Sequence, residues 1–339
     1  MSAIEIREPS ARMEGSGPVV GPELDRSFFV ARRRWVACLT LVPLSLVPFL
    51  WLGSDRAETV AKLRTGSRNE AVQASIPLHV NPRVERWIDE FQTTRRAEFQ
   101  NLLDRRGVFE DLIRGKLRER GLPQELLYLA MIESGLSPFA VSRVSAVGLW
   151  QFMGPTAVQY GLRVDEYVDE RRDPVRGTDA ALDYLEWLHA RFDSWYLAAA
   201  AYNAGPGRVA RILRRHADGR TGDEDIYWEV LRYLPRETRE YVPRLVAMTI
   251  LANDAEALGF TASSAPAYAY DRVFVPGGTS LSLVAQSLDV DPAILRNLNP
   301  HLIRGVTPPG EIYGVRVPIG GTSAVVAALA LRSTARRTD

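Results

Sequence analysis

From Asn81 onward the apolar positions recur every three or four residues, the spacing of a buried helix face. Val84, Trp87, Ile88 and Phe91 form one stripe, which Phe99, Leu102 and Leu103 continue. Phe109, Leu112, Ile113 and Leu117 predict the next helix. These first helices carry no motif chemistry and would brace the catalytic part of the chain. Leu126, Leu127, Ala130 and Met131 then predict a helix with Pro123 in its first turn, where the missing N–H is harmless. Gly135 and Pro138 end it. Further helices are predicted over 156–160, stopping at Gly161, and over 178–192, with Ala181, Leu182, Leu185 and Leu188 inward. A strongly apolar central helix covers 195–202, another begins at 209–213, and a closing helix covers 241–258 with Leu245, Met248 and Leu251 on the core side. The loop 138–147 is compatible with short strands, but nothing in this region demands a sheet.

The two ends of the chain read differently. Residues 1–30 are polar and without period, a disordered tail. Arg32, Arg33 and Arg34 precede an apolar run, 35–52, that is just long enough to cross a bilayer, with Trp35 and Trp51 at its ends. Residues 31–53 are therefore expected to be an uncleaved membrane anchor, with the arginines inside and the rest of the chain outside. No small-x-small cleavage site comes after it, and Cys38 opens the apolar run, whereas a lipidated cysteine would close it. Residues 54–75 read as a linker, 76–261 as a helical domain with its core at about 110–260, and 262–269, rich in Ser, Ala and Pro, as a second linker. From 270 to 320 the pattern changes to strand–helix–helix–strand. The apolar stretch 324–331 is too short to span a membrane, so 321–339 is expected to be a frayed tail.

Composition narrows the function by exclusion. The chain has 339 residues, 46% hydrophobic and 24% charged, enough for two domains and a real core. The net charge of +1 implies no nucleic acid or other polyanion as partner. A single cysteine allows no internal disulfide. With no CxxC, HExxH, histidine cluster or Gly-rich phosphate loop, neither a metal nor a cofactor is expected.

What chemistry remains is acid–base. Glu133 falls in the last turn of the 122–134 helix among apolar neighbours. The partial negative charge of the helix end and the apolar surroundings both push its carboxyl pKa upward, as a general acid requires. Gly148-Leu-Trp-Gln-Phe-Met153 sets the polar Gln151 among bulky apolar residues, and Tyr202-Asn203 closes the apolar helix before Gly205-Pro206. Polar groups emerging from apolar settings at element ends suggest a pocket. Asp169, Glu170 and Asp173 are candidates for a second carboxylate, but they alternate with Arg171 and Arg172 and read as a salt-bridged loop.

Glu133-Ser134, Ser142, Gly148-Leu-Trp-Gln-Phe-Met153 and Ala201-Tyr-Asn-Ala-Gly205 together resemble the lytic transglycosylase catalytic domain, a helical domain of the goose-type lysozyme fold. Asp169-Glu-Arg-Arg-Asp-Pro174, Leu234-Pro-Arg-Glu-Thr238 and Tyr241-Val-Pro243 narrow the resemblance to the membrane-bound lytic murein transglycosylase D family, over roughly residues 76–320. Phe274-Val-Pro-Gly-Gly-Thr279, Leu298-Asn-Pro300, Pro309-Gly310 and Val315-Arg-Val-Pro318 resemble a LysM module, a small α+β fold that recognises N-acetylglucosamine chains. Gly278 stands where an Asp is usual, so glycan binding and a purely structural role both stay open.

The resemblance implies a mainly α protein in the cell envelope, anchored by its N-terminal helix, its catalytic domain in the periplasm and peptidoglycan glycan strands as its partner. It implies that Glu133 acts first as acid and then as base, cutting between N-acetylmuramic acid and N-acetylglucosamine without water and leaving a 1,6-anhydro end. Ser142 would hydrogen-bond the N-acetyl carbonyl, and Gln151 and Asn203 would hold substrate or orient Glu133. Tyr202 would lie near Glu133, and Met153 would pack against a sugar ring. Ser134 reads as a helix-end hydrogen bonder and Trp150 as core. The competing functions are a hydrolytic lysozyme on the same fold and a wall-binding scaffold that does not cut.

Overall fold

The computed structural model describes residues 75–338. The predicted tail, membrane anchor and nearly all of the first linker lie outside the described residues. Among the described residues, no helix is long and apolar enough to cross a membrane.

Asn81 caps the first helix, α1 (Pro82–Gln92), its side chain accepting from the N–H groups of Arg83 and Val84, with Pro82 at the position where no N–H is needed. The stripe Val84, Trp87, Ile88 and Phe91 is buried as the spacing requires. The chain breaks at Thr93. It then runs as one continuous helix, α2 (Arg96–Glu119), rather than two. Gly107, inside α2, is explained by what lies on it: a Cβ there would stand 2.3 Å from the Ser263 hydroxyl. Ser263 donates to the Asp104 carbonyl at 2.7 Å, and the Tyr268 N–H donates to the Val108 carbonyl at 2.8 Å. The linker 262–269 is thus a strap bonded along α2.

A 3-10 turn, Gln124–Leu126, leads into α3 (Leu127–Ser134), which stops at Gly135 in the left-handed conformation. After the short α4 (Gly154–Gln159) come α5 (Pro174–Phe192), α6 (Trp195–Ala204) and α7 (Pro206–His216). The next two are α8 (Asp225–Val230) and the closing helix, α9 (Arg236–Asn253). Helix α6 is the centre of the domain, its residues from Trp195 to Ala201 all buried, with α5, α7 and α9 packed around it. A helix buried all round needs its free N–H groups satisfied from elsewhere in the fold. Glu224, just before α8, supplies this by accepting from the N–H groups of Trp195 and Tyr196 and from the Ser194 hydroxyl.

Helix α9 begins five residues before the predicted start and ends five before the predicted end. The reason is Pro235, which initiates it, and the lack of apolar period after Ala252. Pro243 sits inside this helix and cannot bond to the Arg239 carbonyl four residues earlier. The Tyr227 hydroxyl takes over, donating to the carbonyls of Thr238 and Arg239 at 3.0 and 3.3 Å.

The C-terminal module has the predicted order: β1 (Asp271–Val275), α10 (Leu281–Leu288), α11 (Pro292–Leu298) and β2 (Tyr313–Val317). The strands pair antiparallel with Val273 opposite Val315. The expected frayed tail is instead a helix, α12 (Thr322–Thr338). Its Val325 is buried against Leu283 and Val284 of α10. The apolar stretch is short because it covers one face of the module, not because it frays.

Candidate active site

Helix α3 delivers Glu133 to the centre of the site, and α9 delivers what surrounds it. The Tyr241 hydroxyl donates to the Glu133 carboxyl at 2.6 Å. Burial pushes that carboxyl up to about 7, because the charged form loses its water. The Tyr241 hydrogen bond and the Arg244 charge oppose the rise, and the Glu237 charge adds to it. The result is a carboxyl near half ionisation at neutral pH, able both to give and to take a proton. The Tyr241 and Tyr202 hydroxyls are themselves held far above their ordinary value, first by burial and then by Glu133, so neither is an acid here. Arg244 is desolvated too, with its guanidinium over the Trp87 ring at 5.4 Å.

The loop between α3 and α4 is pinned from two sides. The Ser134 hydroxyl donates to the Leu149 carbonyl at 2.7 Å, and the Tyr202 hydroxyl donates to the Trp150 carbonyl at 2.8 Å. Ser134 thereby serves as the helix-end hydrogen bonder its position suggested. The Trp150 ring is buried and its N–H donates to the Thr178 hydroxyl at 3.0 Å, so it is core and not a sugar platform. Val147 bridges to both Val141 and Phe152, which makes the loop a small folded patch. Gly148 is obligatory in it. Its φ is +83°, and a Cβ would stand 1.7 Å from the Arg171 carbonyl oxygen.

On this patch Ser142 is half-buried, and its hydroxyl oxygen accepts from the N–H groups of Val144 and Ala146 at 3.3 and 3.0 Å. With its lone pairs taken, the hydroxyl proton is left to donate outward. The Gln151 amide donates to the Gly148 carbonyl at 2.9 Å, so its nitrogen is engaged within the loop and not by Glu133. Met153 is 43% exposed beside it. Asn203 is held by α9, accepting from the Thr238 hydroxyl at 2.7 Å and donating to Glu237 at 3.2 Å. The structure therefore brings Tyr202 to Glu133, places Ser142 and Gln151 on the loop with Met153 at its end, and holds Asn203 separately against α9.

Sequence reasoning missed the nearest partners of the acid, Tyr241, Arg244 and Glu237. The signal was present. Glu237, Tyr241 and Arg244 stand at i, i+4 and i+7 on α9, one line along a helix whose apolar positions are buried. Asp169, Glu170 and Asp173 are salt-bridged as expected: Asp169 pairs with Arg171 at 2.8 Å, Glu170 with Arg176 at 3.6 Å and Asp173 with Arg316 at 2.7 Å. The carboxylate that does act on Glu133 is Glu237. Among the described residues, no group of three or more His, Cys, Asp or Glu stands close enough to hold a metal.

Residues 112–223 match the family described as the transglycosylase SLT domain. Glu133, the pinned loop and Tyr202-Asn203 all lie within the matched residues. Residues 269–333 match the LysM-like domain of lytic transglycosylase MltD, so the resemblance to that family holds on both parts of the chain. Membrane-bound lytic murein transglycosylase D of Escherichia coli K12 is 33% identical over 190 residues, 55% of this chain and 41% of that protein. The soluble lytic murein transglycosylase of the same strain is 30% identical over 41% of this chain and 22% of that protein. The solved 70 kDa soluble lytic transglycosylase of Escherichia coli aligns at 22% identity over 59% of this chain and 40% of that one, with a TM-score of 0.39. The matched part of this chain thus spans less than half the length of these relatives.

Proposed function

We propose that this protein is a peptidoglycan lytic transglycosylase. The observation that carries the reading is one carboxyl, Glu133, raised to about 7 by burial and bonded by the Tyr241 hydroxyl. The protonated Glu133 gives its proton to the oxygen between N-acetylmuramic acid and N-acetylglucosamine, and the C1–O bond breaks. The substrate's own N-acetyl oxygen supports the cationic C1, with the Ser142 hydroxyl holding the acetamido group in line. Glu133, now a carboxylate, takes the proton of the muramoyl 6-hydroxyl as O6 closes onto C1. The carboxyl ends as it began, no water is consumed, and the product ends in a 1,6-anhydro ring. Tyr241 and Arg244 stabilise the transient carboxylate, and holding the 6-hydroxyl beside C1 supplies much of the rate. Gln151 and Asn203 hold the sugars from opposite sides, with Met153 against a ring.

The similarity to a protein named as membrane-bound supports a place in the cell envelope, with the catalytic domain in the periplasm on an N-terminal anchor. One observation favours a second reading. Glu237 lies close enough to raise the Glu133 pKa, and a hydrolytic lysozyme needs a second carboxylate to activate water. Mass spectrometry of muropeptides released from purified murein decides between them. Products one water lighter than lysozyme products, with no reducing end, support the transglycosylase. Reducing products that vanish in Glu237→Gln would move the protein to the hydrolytic class.

A further inference from the structure

The turn 169–173 has the C-terminal module on one side and the substrate loop on the other. Toward the module, one guanidinium nitrogen of Arg316 in β2 donates to both carboxylate oxygens of Asp173, at 2.8 and 2.7 Å, both residues almost fully buried. His301 stands 3.4 Å from the same carboxylate. Arg316 is itself fixed by the module, since its N–H donates to the Asn299 side chain at 2.8 Å and its guanidinium donates to the Tyr268 hydroxyl at 3.0 Å. The Asp169 N–H donates to the His301 carbonyl at 2.9 Å, and Val168 bridges to Leu302. Val168, from the helical domain, is fully buried in the core of the module.

Toward the loop, the same turn is no less engaged. Asp169 grips Arg171 through two bonds of 2.8 Å. Arg171 reaches on to the carbonyls of Ser145 and Phe152, at 3.2 and 3.4 Å, and its own carbonyl presses on Gly148. Arg172 donates to the Phe139 carbonyl at 3.3 Å. Ser145, Gly148 and Phe152 are backbone positions of the loop that presents Ser142, Gln151 and Met153.

We propose that the C-terminal module holds the substrate loop in place through Arg316 and the turn 169–173, so that Arg316 is a positioning residue of the active site. The module is then a working part of the catalytic unit, not a glycan-seeking arm on a tether. The docked strap 262–269 agrees with this, since a tethered arm needs a free linker and this one is bonded along α2. The loop's role in holding substrate rests on the transglycosylase reading.

The test uses the full chain and two variants. Arg316→Met alone would leave Asp173 buried and unpaired, so the pair is removed together in Asp173→Asn/Arg316→Met, in which no buried charge is left over and Asn still caps α5. Arg316→Lys keeps the charge but loses the second guanidinium nitrogen, the one that bonds the Tyr268 hydroxyl. Hydrogen exchange is read at the amides of Val147, Gly148 and Phe152, with the amides of α9 as the internal reference. The loop amides should exchange at least roughly tenfold faster in the double variant, less so in Arg316→Lys, with α9 unchanged. On murein, kcat/KM should fall by roughly 10- to 100-fold, as a slightly misplaced site does, while the pH midpoint set by Glu133 stays where it was. Unchanged loop exchange overturns the proposal, and so does an equal rise in α9, which would mean general loosening. The exchange readout needs no cleavage, so it decides this point even if the products refute the transglycosylase reading.

Discussion

Replacing Tyr241 by Phe removes one hydroxyl and leaves the ring that fills the same space. In the wild-type site that hydroxyl lies 2.6 Å from the Glu133 carboxyl, within the range of a charge-assisted O–H···O bond. A hydrogen bond to a charged group contributes about 1.5–3 kcal/mol, and about 1.4 kcal/mol corresponds to one pKa unit. The bond favours the carboxylate, so its loss raises the pKa further above the present value of about 7. Part of the bond survives when the carboxyl is protonated, so the lower end applies, a rise of roughly one unit. In the proposed reaction cleavage begins with the protonated acid, so activity should be lost as pH rises through the Glu133 pKa. The alkaline limb of the rate profile should therefore move from near pH 7 to about pH 8 in Tyr241→Phe. The assay is release of soluble muropeptides from murein between pH 5 and 9, with melting measured at each pH to show that the fold is intact. An alkaline limb that stays put, or moves down, refutes the argument that Tyr241 tunes the acid.

The same carboxyl makes a prediction about stability. Its folded pKa is raised above the unfolded 4.5, so the folded state keeps a proton the unfolded state releases, and stability falls as pH rises from 4.5 to about 7. Glu133→Gln should therefore lose cleavage by at least roughly 10²-fold while melting higher than wild type, the gap widening from pH 5 to pH 8. On the proposed reading Ser142→Ala should lower kcat/KM by roughly 10- to 100-fold with little change in melting temperature, because its hydroxyl would serve substrate and a local turn rather than the core. Gly148→Ala meets both a positive φ and the Arg171 carbonyl, and should destabilise by more than the about 1–2 kcal/mol of a left-handed backbone alone, with loss of cleavage. Burial lowers the His301 pKa to about 4, so the fold is weakened as pH falls from the unfolded 6.5 toward 4. Hydrogen exchange around β2 should accordingly quicken below pH 6 in wild type, and that acid sensitivity should shrink in His301→Gln.

The legible part of the sequence was whatever repeated with a period or matched a motif. The stripes of α1 and α5 fell where the spacing put them, because a buried helix face must recur every three to four residues, and α6 was legible as a continuous apolar run. Glu133 was legible because its helix ends in Gly135 and its neighbours are apolar. Tyr241, Arg244 and Glu237 were not assigned to it, since they arrive from a helix about a hundred residues away, and only tertiary packing sets which long-range groups meet. The helix at 322–338 and the bonding of the linker 262–269 along α2 were not legible for a related reason. A stretch of Ala and Ser looks like a linker or a tail until the surface it lies on is known. Gly107 shows this well: its reason for being glycine is Ser263, which no local pattern could reveal.

Val168 has two addresses. Its sequence neighbours belong to the helical domain, while its side chain fills the core of the module beyond it. A lineage that acquired this module by recombination alone, without the 168–173 turn, would inherit a hole and an orphaned arginine. The hole forgoes about 1.5–3 kcal/mol, and the unpaired charge costs about 3–5 kcal/mol more. Together these approach the whole stability of an ordinary domain. The joint at residue 270 is therefore a poor place for genes to be cut and rejoined, and descent should carry the turn and the module as one heritable piece.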